Sequence, residues 1–380
     1  ALGQDPLAAM FCEELGVVIQ VENAYLDTVT KYLRDTPLLA DHVYLLGQPS
    51  QGKSVRVRYG SELVFESDLA ALLNSWSSNT FQMQQARDNP DCAKQEFAAI
   101  VDLNDPGLHL ATTFELTTPV RSAAIMTSRP RVAVLREQGV NGHVEMAAAF
   151  DRAGFDAVDI HMSDLVESRR SLKDFNGIVA CGGFSYGDVL GAGGGWAKSI
   201  LFNTHAYENF AEYFNRPTTF TLGICNGCQM LSHLRSLIPG AQNWPTFTRN
   251  LSEQFEARLV MAEVLESPSI LLRDMAGTRA PIVVAHGEGR VVGGAIEQPT
   301  DVCLRFVDNH GAATERYPYN PNGSVGGITG ITSDDGRATI MMPHPERAFL
   351  TTQYSWLDRS WTSDEGPWMK LFRNARGWLE

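Results

Sequence analysis

From residue 131 onward the chain alternates short apolar strands with helical segments, and this alternation limits the possible folds more than any other feature. The four apolar runs are 131–137, 155–162, 177–183 and 218–224. Strands that alternate with helices form a parallel sheet whose two faces those helices cover. Reactive groups in such sheets lie at the carboxyl ends of the strands. The sequence therefore predicts an α/β domain over 131–380, with its site at that edge of the sheet.

The first 118 residues show strand and helix signals in a mixed order. Residues 16–21 predict a strand, and Tyr59-Gly60-Ser61 predicts the turn of a hairpin. Residues 68–90 predict one long helix. We find no nucleotide-binding loop here and expect a smaller α+β domain over 1–118. Residues 119–130 have little periodicity, which predicts a linker.

The composition is that of an ordinary globular protein, and it excludes several classes of partner. The 380 residues carry a formal net charge of -13, which repels nucleic acid and anionic membrane surfaces. No stretch approaches the roughly 18 apolar residues that a membrane-spanning helix needs. Six cysteines are too few for a disulfide framework. We therefore expect a cytoplasmic protein with reduced thiols and with neither a nucleic-acid nor a membrane partner.

Cys225 lies where the fourth predicted strand meets a helix, between Gly223 and Gly227. This is the pattern of a nucleophile elbow, with cysteine in place of serine. The sharp turn needs neighbours without bulk, and the N-terminus of the following helix favours a thiolate. The alternative is a buried cysteine at an ordinary strand-to-helix junction. Glycines on both sides of the cysteine favour the nucleophile.

Cys225 and Cys228 also form a C-x-x-C pair, which has two other interpretations. A redox pair of this kind can lie at a helix N-terminus, as in thioredoxin-like proteins. A zinc site needs a second pair of ligands, and the other cysteines, at 12, 92, 181 and 303, are isolated. The redox interpretation is weaker because further candidate catalytic groups occur elsewhere. We expect no metal site, and we expect Cys228 to pack beneath the elbow.

Those further groups follow a β-rich run near the end of the chain. His344 and Glu346 are two residues apart, and Pro343 and Pro345 restrict their backbone. In an extended chain the side chains of residues i and i+2 point the same way. A neutral imidazole can take a thiol proton while a carboxylate holds the tautomer. A solvated surface turn is the commoner alternative, but it does not explain the preceding apolar strand, and we predict a Cys225, His344, Glu346 triad.

Two glycine-rich segments follow the third predicted strand, at 180–188 and 191–195. Glycines in the first segment can free backbone N–H groups for an oxyanion hole, with the N–H of Asn226 as the second donor. The rival interpretation of these glycines is phosphate binding. No G-x-G-x-x-G motif opens the helix after the first strand, so we favour the oxyanion hole.

Together these motifs resemble the class I, or triad, glutamine amidotransferase family. The similarity rests on the segments 182–188, 223–229, 285–290 and 343–346. More narrowly, residues 131–380 are similar to the phosphoribosylformylglycinamidine synthase family of purine biosynthesis, on the segments 136–150, 182–193 and 286–290. Residues 1–118 resemble the end of the synthetase part of the large single-chain form of that family, an aminoimidazole ribonucleotide synthetase-like region.

The resemblance implies a flavodoxin-like fold and attack of Cys225 on the side-chain amide of glutamine. Gln229 matches the family position that helps to bind glutamine, and Gly183 would supply an N–H of the oxyanion hole. In complete enzymes of the family the ammonia reaches the synthetase region, which uses ATP and Mg²⁺. The residues that bind them lie upstream of the matched part, so we expect no cofactor in this chain.

Two other functions compete with the glutaminase: a free-standing cysteine hydrolase or peptidase of the same fold, and a non-catalytic docking module. Related hydrolases place their histidine beside the cysteine, whereas His344 lies far downstream of Cys225. That order favours the amidotransferase. The segment 285–290, AHGEGR, has two open interpretations, docking to the synthetase and glutamine binding.

Overall fold

The computed structural model describes residues 5–13, 15–116, 129–293, 301–357 and 361–380. The chain divides into two compact units, Ala1–Asn79 and Thr80–Glu380. This division precedes the predicted domain boundary at 118. Most of the predicted linker, 119–130, lies outside the described residues. The assignment of residues 1–118 to a synthetase-like domain stays a prediction.

The first unit contains a hairpin and short helices. Its elements are α1 (Pro6–Phe11), α2 (Leu26–Arg34), β1 (Ser54–Tyr59), β2 (Glu62–Asp68) and the start of α3 (Leu69–Arg87). Strands β1 and β2 are antiparallel, and Gly60 in their turn has a φ of 59°. The strand predicted at 16–21 is wrong: these residues are coil, and no described strand lies beside them to satisfy their backbone groups. Of the residues described in this unit, none is buried.

Helix α4 (Pro90–Ile100) belongs to the second unit, although it precedes the predicted boundary. The single helix predicted over 68–90 ends early, since α3 stops at Arg87 and proline occupies the first position of α4, where its missing N–H costs nothing. Gln95 of α4 accepts a hydrogen bond from the backbone N–H of Tyr317 at 2.8 Å. Glu96 forms an ion pair with Arg258 at 2.9 Å. These contacts join α4 to the larger unit.

A nine-stranded sheet forms the centre of the second unit. The strands of this unit are β3 (Arg131–Arg136), β4 (Asp156–His161), β5 (Gly177–Ala180), β6 (Phe220–Ile224), β7 (Thr246–Thr248), β8 (Glu256–Val264), β9 (Arg279–His286), β10 (Arg290–Val292), β11 (Val302–Phe306), β12 (Ile328–Thr332) and β13 (Ala338–Met341). The large sheet has the order β4-β3-β5-β6-β13-β12-β11-β8-β9, and β7 pairs separately with β10. The first five strands are parallel and the others antiparallel. Four of these parallel strands coincide with the four apolar runs of the sequence.

Helices cover both faces of the parallel strands. They are α5 (His143–Arg152), α6 (Met162–Val166), α7 (Gly194–Leu201), α8 (Thr204–Asn215), α9 (Asn226–His233) and α10 (Met369–Trp378). On one face, the rings of Phe150 in α5 and Phe220 in β6 have centroids 6.0 Å apart. On the other, a Cβ at Gly223 would lie 2.6 Å from Leu231 of α9. The predicted α/β architecture, with helices flanking a parallel sheet, is confirmed.

Within the part of the chain that the structure describes, no helix combines the length and the apolar character that crossing a membrane requires.

Candidate active site

Cys225 occupies a sharp turn between strand β6 and helix α9. Its backbone has φ 52° and ψ -110°, a conformation that residues with a side chain rarely adopt. Gly227 packs so tightly that a Cβ there would lie 2.0 Å from the carbonyl oxygen of Ala180 in β5. The glycine thus allows α9 to begin directly above the sheet. This turn has the conformation that a nucleophile elbow requires.

The parallel pairing of β6 with β13 brings His344 to the elbow. Ile224 and Met341 are register partners, and the backbone N–H of Cys225 donates to the carbonyl oxygen of Met341 at 2.9 Å. Because the two strands end side by side, the residues that follow them share one edge of the sheet. His344 is then fixed by its own N–H, which donates to Val283 of β9 at 2.8 Å.

His344 and Glu346 form a buried pair. His344 Nδ1 and Glu346 Oε1 are 2.6 Å apart, and the two side chains are 1% and 0% exposed. The sequence predicted an extended chain, but Pro345–Arg347 form a 3₁₀ turn after an extended His344. The two side chains still meet because the turn brings the carboxylate back to the ring.

The ionisation of His344 depends on opposing influences. Burial lowers the pKa of its imidazole, but the charges of Glu346 and Cys225 outweigh burial and raise that pKa to about 10. The other ring nitrogen, Nε2, makes no hydrogen bond within the described part of the chain. The Cys225 side chain and the His344 ring both lie against Gly182. A Cβ on this glycine would lie 2.7 Å from His344 Cε1 and 3.3 Å from Cys225 Cβ. The imidazole is therefore available to exchange a proton with a group beside Cys225.

Gly183 and Asn226, the two predicted oxyanion donors, lie on neighbouring segments at this edge. Gly183 pairs with Val140 in an isolated antiparallel bridge, whose hydrogen bonds run from the adjacent residues, Phe184 to Gly139 and Asn141 to Gly182. The N–H of Gly183 is therefore not used by the bridge. A Cβ on Gly183 would lie 2.5 Å from Val140 Cα, so only glycine fits this close approach. Asn226 opens α9, where backbone N–H groups have no partner within the helix.

Comparison with known proteins shows the family to which this chain belongs. Residues 129–379 match the CobB/CobQ-like glutamine amidotransferase domain, which is about two thirds of the chain. The chain belongs to this glutamine amidotransferase family. The sequence resemblance and the enzyme class that it implied are thereby confirmed.

Solved structures similar to this chain include PurLQS from Thermotoga maritima. That match has 25% sequence identity and a TM-score of 0.52, and it covers 67% of this chain and 100% of the other. A Thermoplasma acidophilum protein assigned to GMP synthase has 13% identity and a TM-score of 0.40, covering 66% of this chain and 94% of that chain. A glutamine amidotransferase from Thermotoga maritima has 16% identity and a TM-score of 0.37, with 58% and 77% covered.

Gln229 lies in the first turn of α9 in the amidotransferase domain. Its side chain is 3% exposed, and its amide nitrogen donates to the backbone carbonyl of Glu288. Its amide oxygen lies 3.5 Å from the side-chain nitrogen of Asn226. The structure therefore places Gln229 between the elbow and the AHGEGR segment, where it joins the two.

The AHGEGR segment (285–290) borders the elbow. The Cys225 thiol lies 3.6 Å from the carbonyl oxygen of Ala285. His286 is buried, and desolvation, followed by the nearby charge of His344, lowers its pKa to about 3. This ring therefore stays neutral at physiological pH. The position of the segment is compatible with glutamine binding, and docking to a synthetase stays the other interpretation.

Two asparagines that the sequence analysis missed hold this segment in place. Asn250 accepts from the N–H of Gly289 at 2.9 Å and donates to the carbonyl of His286 at 2.7 Å. Asn322 donates to the carbonyl of Gly289 at 2.8 Å and lies 3.3 Å from His286 Nε2. Asn322 belongs to the sequence Asn-Pro-Asn-Gly-Ser, which indicates a turn. That pattern does not reveal which distant loop the amide will hold.

Cys228 differs from Cys225 in its surroundings. It is fully buried in α9, and burial raises the pKa of its thiol well above the usual value. Burial in an apolar environment disfavours the thiolate that redox exchange and metal binding need. All six cysteines are free thiols. These observations support packing beneath the elbow over the redox and zinc interpretations.

Two of the glycines at 191–195, Gly193 and Gly195, are explained by close packing, which weakens the phosphate interpretation. A Cβ on Gly193 would lie 2.4 Å from the backbone nitrogen of Met230, and one on Gly195 would lie 2.9 Å from the ring of Tyr186. The loop must therefore approach α9 and its own neighbours closely. Among the described residues, no group of three or more histidine, cysteine, aspartate or glutamate side chains is arranged to hold a metal ion.

Proposed function

We propose that this chain is the glutaminase part of a phosphoribosylformylglycinamidine synthase. The observation that carries the proposal is the strained Cys225 beside a buried His344 whose Nδ1 is held by Glu346 at 2.6 Å. Family membership and the similarity to PurLQS support the same assignment.

In this proposal the thiolate of Cys225 attacks the side-chain carbonyl carbon of glutamine while His344 holds the thiol proton. The N–H groups of Gly183 and Asn226 stabilise the negative oxygen of the tetrahedral intermediate, where each such donor typically contributes about 100- to 1000-fold in rate. His344 then protonates the departing nitrogen, ammonia leaves, and a glutamyl thioester remains. Water, deprotonated by His344, hydrolyses the thioester to glutamate and restores the thiol.

We assign the other site residues supporting roles. Glu346 holds the tautomer of His344 and stabilises the imidazolium. Gln229 helps to bind glutamine because it holds the AHGEGR segment in place beside the elbow. Direct contact with the substrate would add to this role. The side chains of Glu346 and Gln229 are already buried and hydrogen-bonded. Little conformational freedom therefore remains to be lost when glutamine reacts.

The ammonia is used by the synthetase region of the same enzyme, which amidates formylglycinamide ribonucleotide with ATP and Mg²⁺. Free ammonia is mostly ammonium near neutrality and is then not nucleophilic, so transfer through the protein interior preserves its reactivity. The resemblance implies that the residues that bind ATP and Mg²⁺ lie upstream of the part matched here, in the synthetase region. We therefore assign nucleotide binding to the rest of the enzyme and its place of action to the cytoplasm.

The first unit supports this larger context. Of its described residues none is buried, and large apolar side chains such as Phe11, Val18 and Trp76 are 77%, 81% and 86% exposed. A unit without a core of its own does not gain enough free energy to fold alone. Such a unit fits the end of a larger synthetase domain.

An affinity label tests the nucleophile. We expect 6-diazo-5-oxo-norleucine, a glutamine analogue, to modify Cys225 in the full chain, and glutamine to protect it, with the adduct located by peptide mass spectrometry. Cys228→Ala is the matched control and should be labelled as the wild type is. An adduct on Cys228, or hydrolysis of peptides or esters without any glutamine reaction, would contradict the proposal and favour the free-standing hydrolase.

A further inference from the structure

The loop that follows Gly183 has an unusual backbone. Tyr186, Gly187 and Asp188 have φ values of 54°, 63° and 55°, so three consecutive residues are left-handed. Two of them carry side chains, for which this conformation is strained. Strain of this kind persists only when surrounding contacts hold it, and it concentrates at functional sites.

The side chain of Asn226 makes two of the contacts that hold this loop. Its oxygen accepts from the backbone N–H of Ser185 at 3.2 Å, and its nitrogen donates to Asp188 Oδ1 at 3.0 Å. The amide orientation is fixed, because a backbone N–H can only donate and a carboxylate accepts. Asn226 is 0% exposed, so no solvent reaches its amide, and the hydrogen bond to Ser185 is fully buried.

Two further hydrogen bonds, both made by Tyr186, anchor the loop from the opposite side. The hydroxyl of Tyr186 donates to Glu137 Oε2 at 2.9 Å, and the N–H of Tyr186 donates to the carbonyl of Gln138 at 3.0 Å. The loop is therefore held at both ends of its left-handed stretch. Among the hydrogen bonds of the described residues, the two made by the Asn226 side chain connect this loop to the elbow.

We propose that the Asn226 side chain, together with Asp188, is a positioning device that sets the distance between the two oxyanion donors. One donor is the backbone N–H of Asn226, and the other is the N–H of Gly183, two residues before Ser185. A single residue thus supplies one donor and, through its amide, fixes the loop that supplies the other. This inference rests on the proposed function, since it concerns the oxyanion of the glutaminase reaction.

The surroundings of Asp188 explain why the residue at 226 is an amide. Burial raises the pKa of the Asp188 carboxyl, the hydrogen bond from Asn226 opposes that rise, and the charge of Glu288 adds to it. A carboxylate at 226 would remove the donor and place a further negative charge against Asp188. An apolar residue would leave the buried Ser185 N–H without a partner and would take one of its two donors from the Asp188 carboxylate, whose other donor is the backbone N–H of Gly193.

An exchange of the two polar groups tests the device. In the full chain, Asn226→Asp should slow labelling of Cys225 by 6-diazo-5-oxo-norleucine about 100-fold, the scale of losing one oxyanion donor. Asp188→Asn keeps an acceptor and should have a small effect. In the double variant, the amide at position 188 donates to the carboxylate at position 226, so the hydrogen bond is restored with its direction reversed. The labelling rate should then recover by at least about tenfold.

Alkylation by iodoacetamide distinguishes a displaced oxyanion donor from a less reactive Cys225 thiol. Iodoacetamide displaces iodide without placing a glutamine-like carbonyl in the site, whereas the ketone of 6-diazo-5-oxo-norleucine takes the place of the glutamine carbonyl and is polarised by the oxyanion donors while N₂ leaves. The ratio of the two labelling rates therefore reports the oxyanion hole, even if a new carboxylate changes the reactivity of the thiol. We expect the ratio to fall in Asn226→Asp and to return in the double variant. A double variant that is no better than Asn226→Asp would overturn the proposal.

A second variant covers the case in which Asn226→Asp does not fold. Asp188→Gly relieves the strained φ, which offsets the cost of leaving the buried Asn226 amide without this acceptor, so the protein should still fold with a thermal unfolding temperature close to that of the wild type. We nevertheless expect a lower labelling ratio because the contact between the loop and the elbow is lost. An unchanged ratio would contradict the positioning role. Failure of the wild type to be labelled at Cys225 would instead overturn the proposed function itself, so the two failures are distinguishable.

Discussion

The charge of His344 depends on two neighbours that come from different parts of the chain. Glu346 is two residues away in sequence and hydrogen-bonded at 2.6 Å, whereas Cys225 is brought close by the pairing of β6 with β13. Both raise the pKa of the imidazole, to about 10, against the opposing effect of burial. At neutral pH the ring is therefore poised to carry a proton beside the thiol, as the proposed reaction requires.

This balance predicts the behaviour of Glu346→Gln. Because the pKa of His344 is raised in the folded state, the buried pair stabilises the fold fully below the unfolded pKa of about 6.5 and loses that contribution as the pH rises through about 10. We expect the variant to lose roughly 1–3 kcal/mol in free energy of unfolding near pH 6 and progressively less toward pH 10. Urea unfolding of both proteins across that range measures the difference.

The same substitution should lower glutamine hydrolysis by up to about 10⁴-fold, because the carboxylate holds the tautomer of the imidazole. Glu145→Gln is a matched control: Glu145 pairs with Arg347 at 3.0 Å on a partly exposed surface, which predicts a small effect on unfolding. A difference in stability between wild type and Glu346→Gln that does not change with pH would contradict the coupling described here.

At the scale of elements, the elbow depends on the close approach of α9 to β5. A Cβ on Gly227 would lie 2.0 Å from the carbonyl oxygen of Ala180, and a backbone atom in the sheet centre cannot move aside cheaply. We expect Gly227→Ala to lower the free energy of unfolding by more than about 3 kcal/mol. Chemical denaturation measures this loss.

Gly377 in α10 provides the control for that substitution. A Cβ there meets nothing within 4 Å, and the residue is exposed in a helix. Gly377→Ala should stabilise the protein by about 0.5–1 kcal/mol, since alanine favours a helix over glycine. Equal effects of the two substitutions would show that the approach of α9 to β5 does not constrain the elbow.

Local sequence patterns predicted some elements and not others. Four of the five parallel strands were predicted correctly. Three of them, β3, β5 and β6, are buried through their centres on both faces and are therefore mostly apolar, which is visible without knowledge of their neighbours. The predicted strand at 16–21 is also apolar, but it lies in coil. A strand needs a partner for its backbone hydrogen bonds, and composition alone does not show whether a partner exists.

At the scale of the whole molecule, the two units differ in burial, which predicts a difference in hydrogen exchange. No described residue of the first unit is buried, whereas strands β5 and β6 of the second unit are buried along their whole length. Amides in 54–68 should therefore exchange far faster than those in β5 and β6. Hydrogen exchange followed by mass spectrometry measures this, and equal protection in the two units would contradict it.

Division of labour in the complete enzyme gives a further prediction. Cys225→Ala should abolish glutamine-dependent amidation, because the thiolate is the nucleophile of the proposed thioester step. Ammonia-dependent synthesis by the same variant should continue at the wild-type rate, since the synthetase uses ammonia from any source. Assays with glutamine and with ammonium salts measure the two activities. Loss of both would mean that glutamine hydrolysis and synthesis are not separate functions of the molecule.

The sequence by itself determined the alternation of strands and helices, the glycine-flanked cysteine, and the His344 and Glu346 pair. These depend on local rules: which faces are apolar, which turns tolerate a side chain, and which residues prolines restrain. The family resemblance followed from the same short motifs, and family membership is confirmed.

Tertiary structure alone decided which of these pieces meet. The order β5-β6-β13 brings the residues after Ile224 and after Met341 to one edge, although the two strands are far apart in sequence. The amide of Asn226 also found its partners, Ser185 and Asp188, only through that order. Periodicity records which face of a strand is buried, but not which strand will lie beside it. The pairing of distant strands is a property of the assembled core, and the site depends on that pairing.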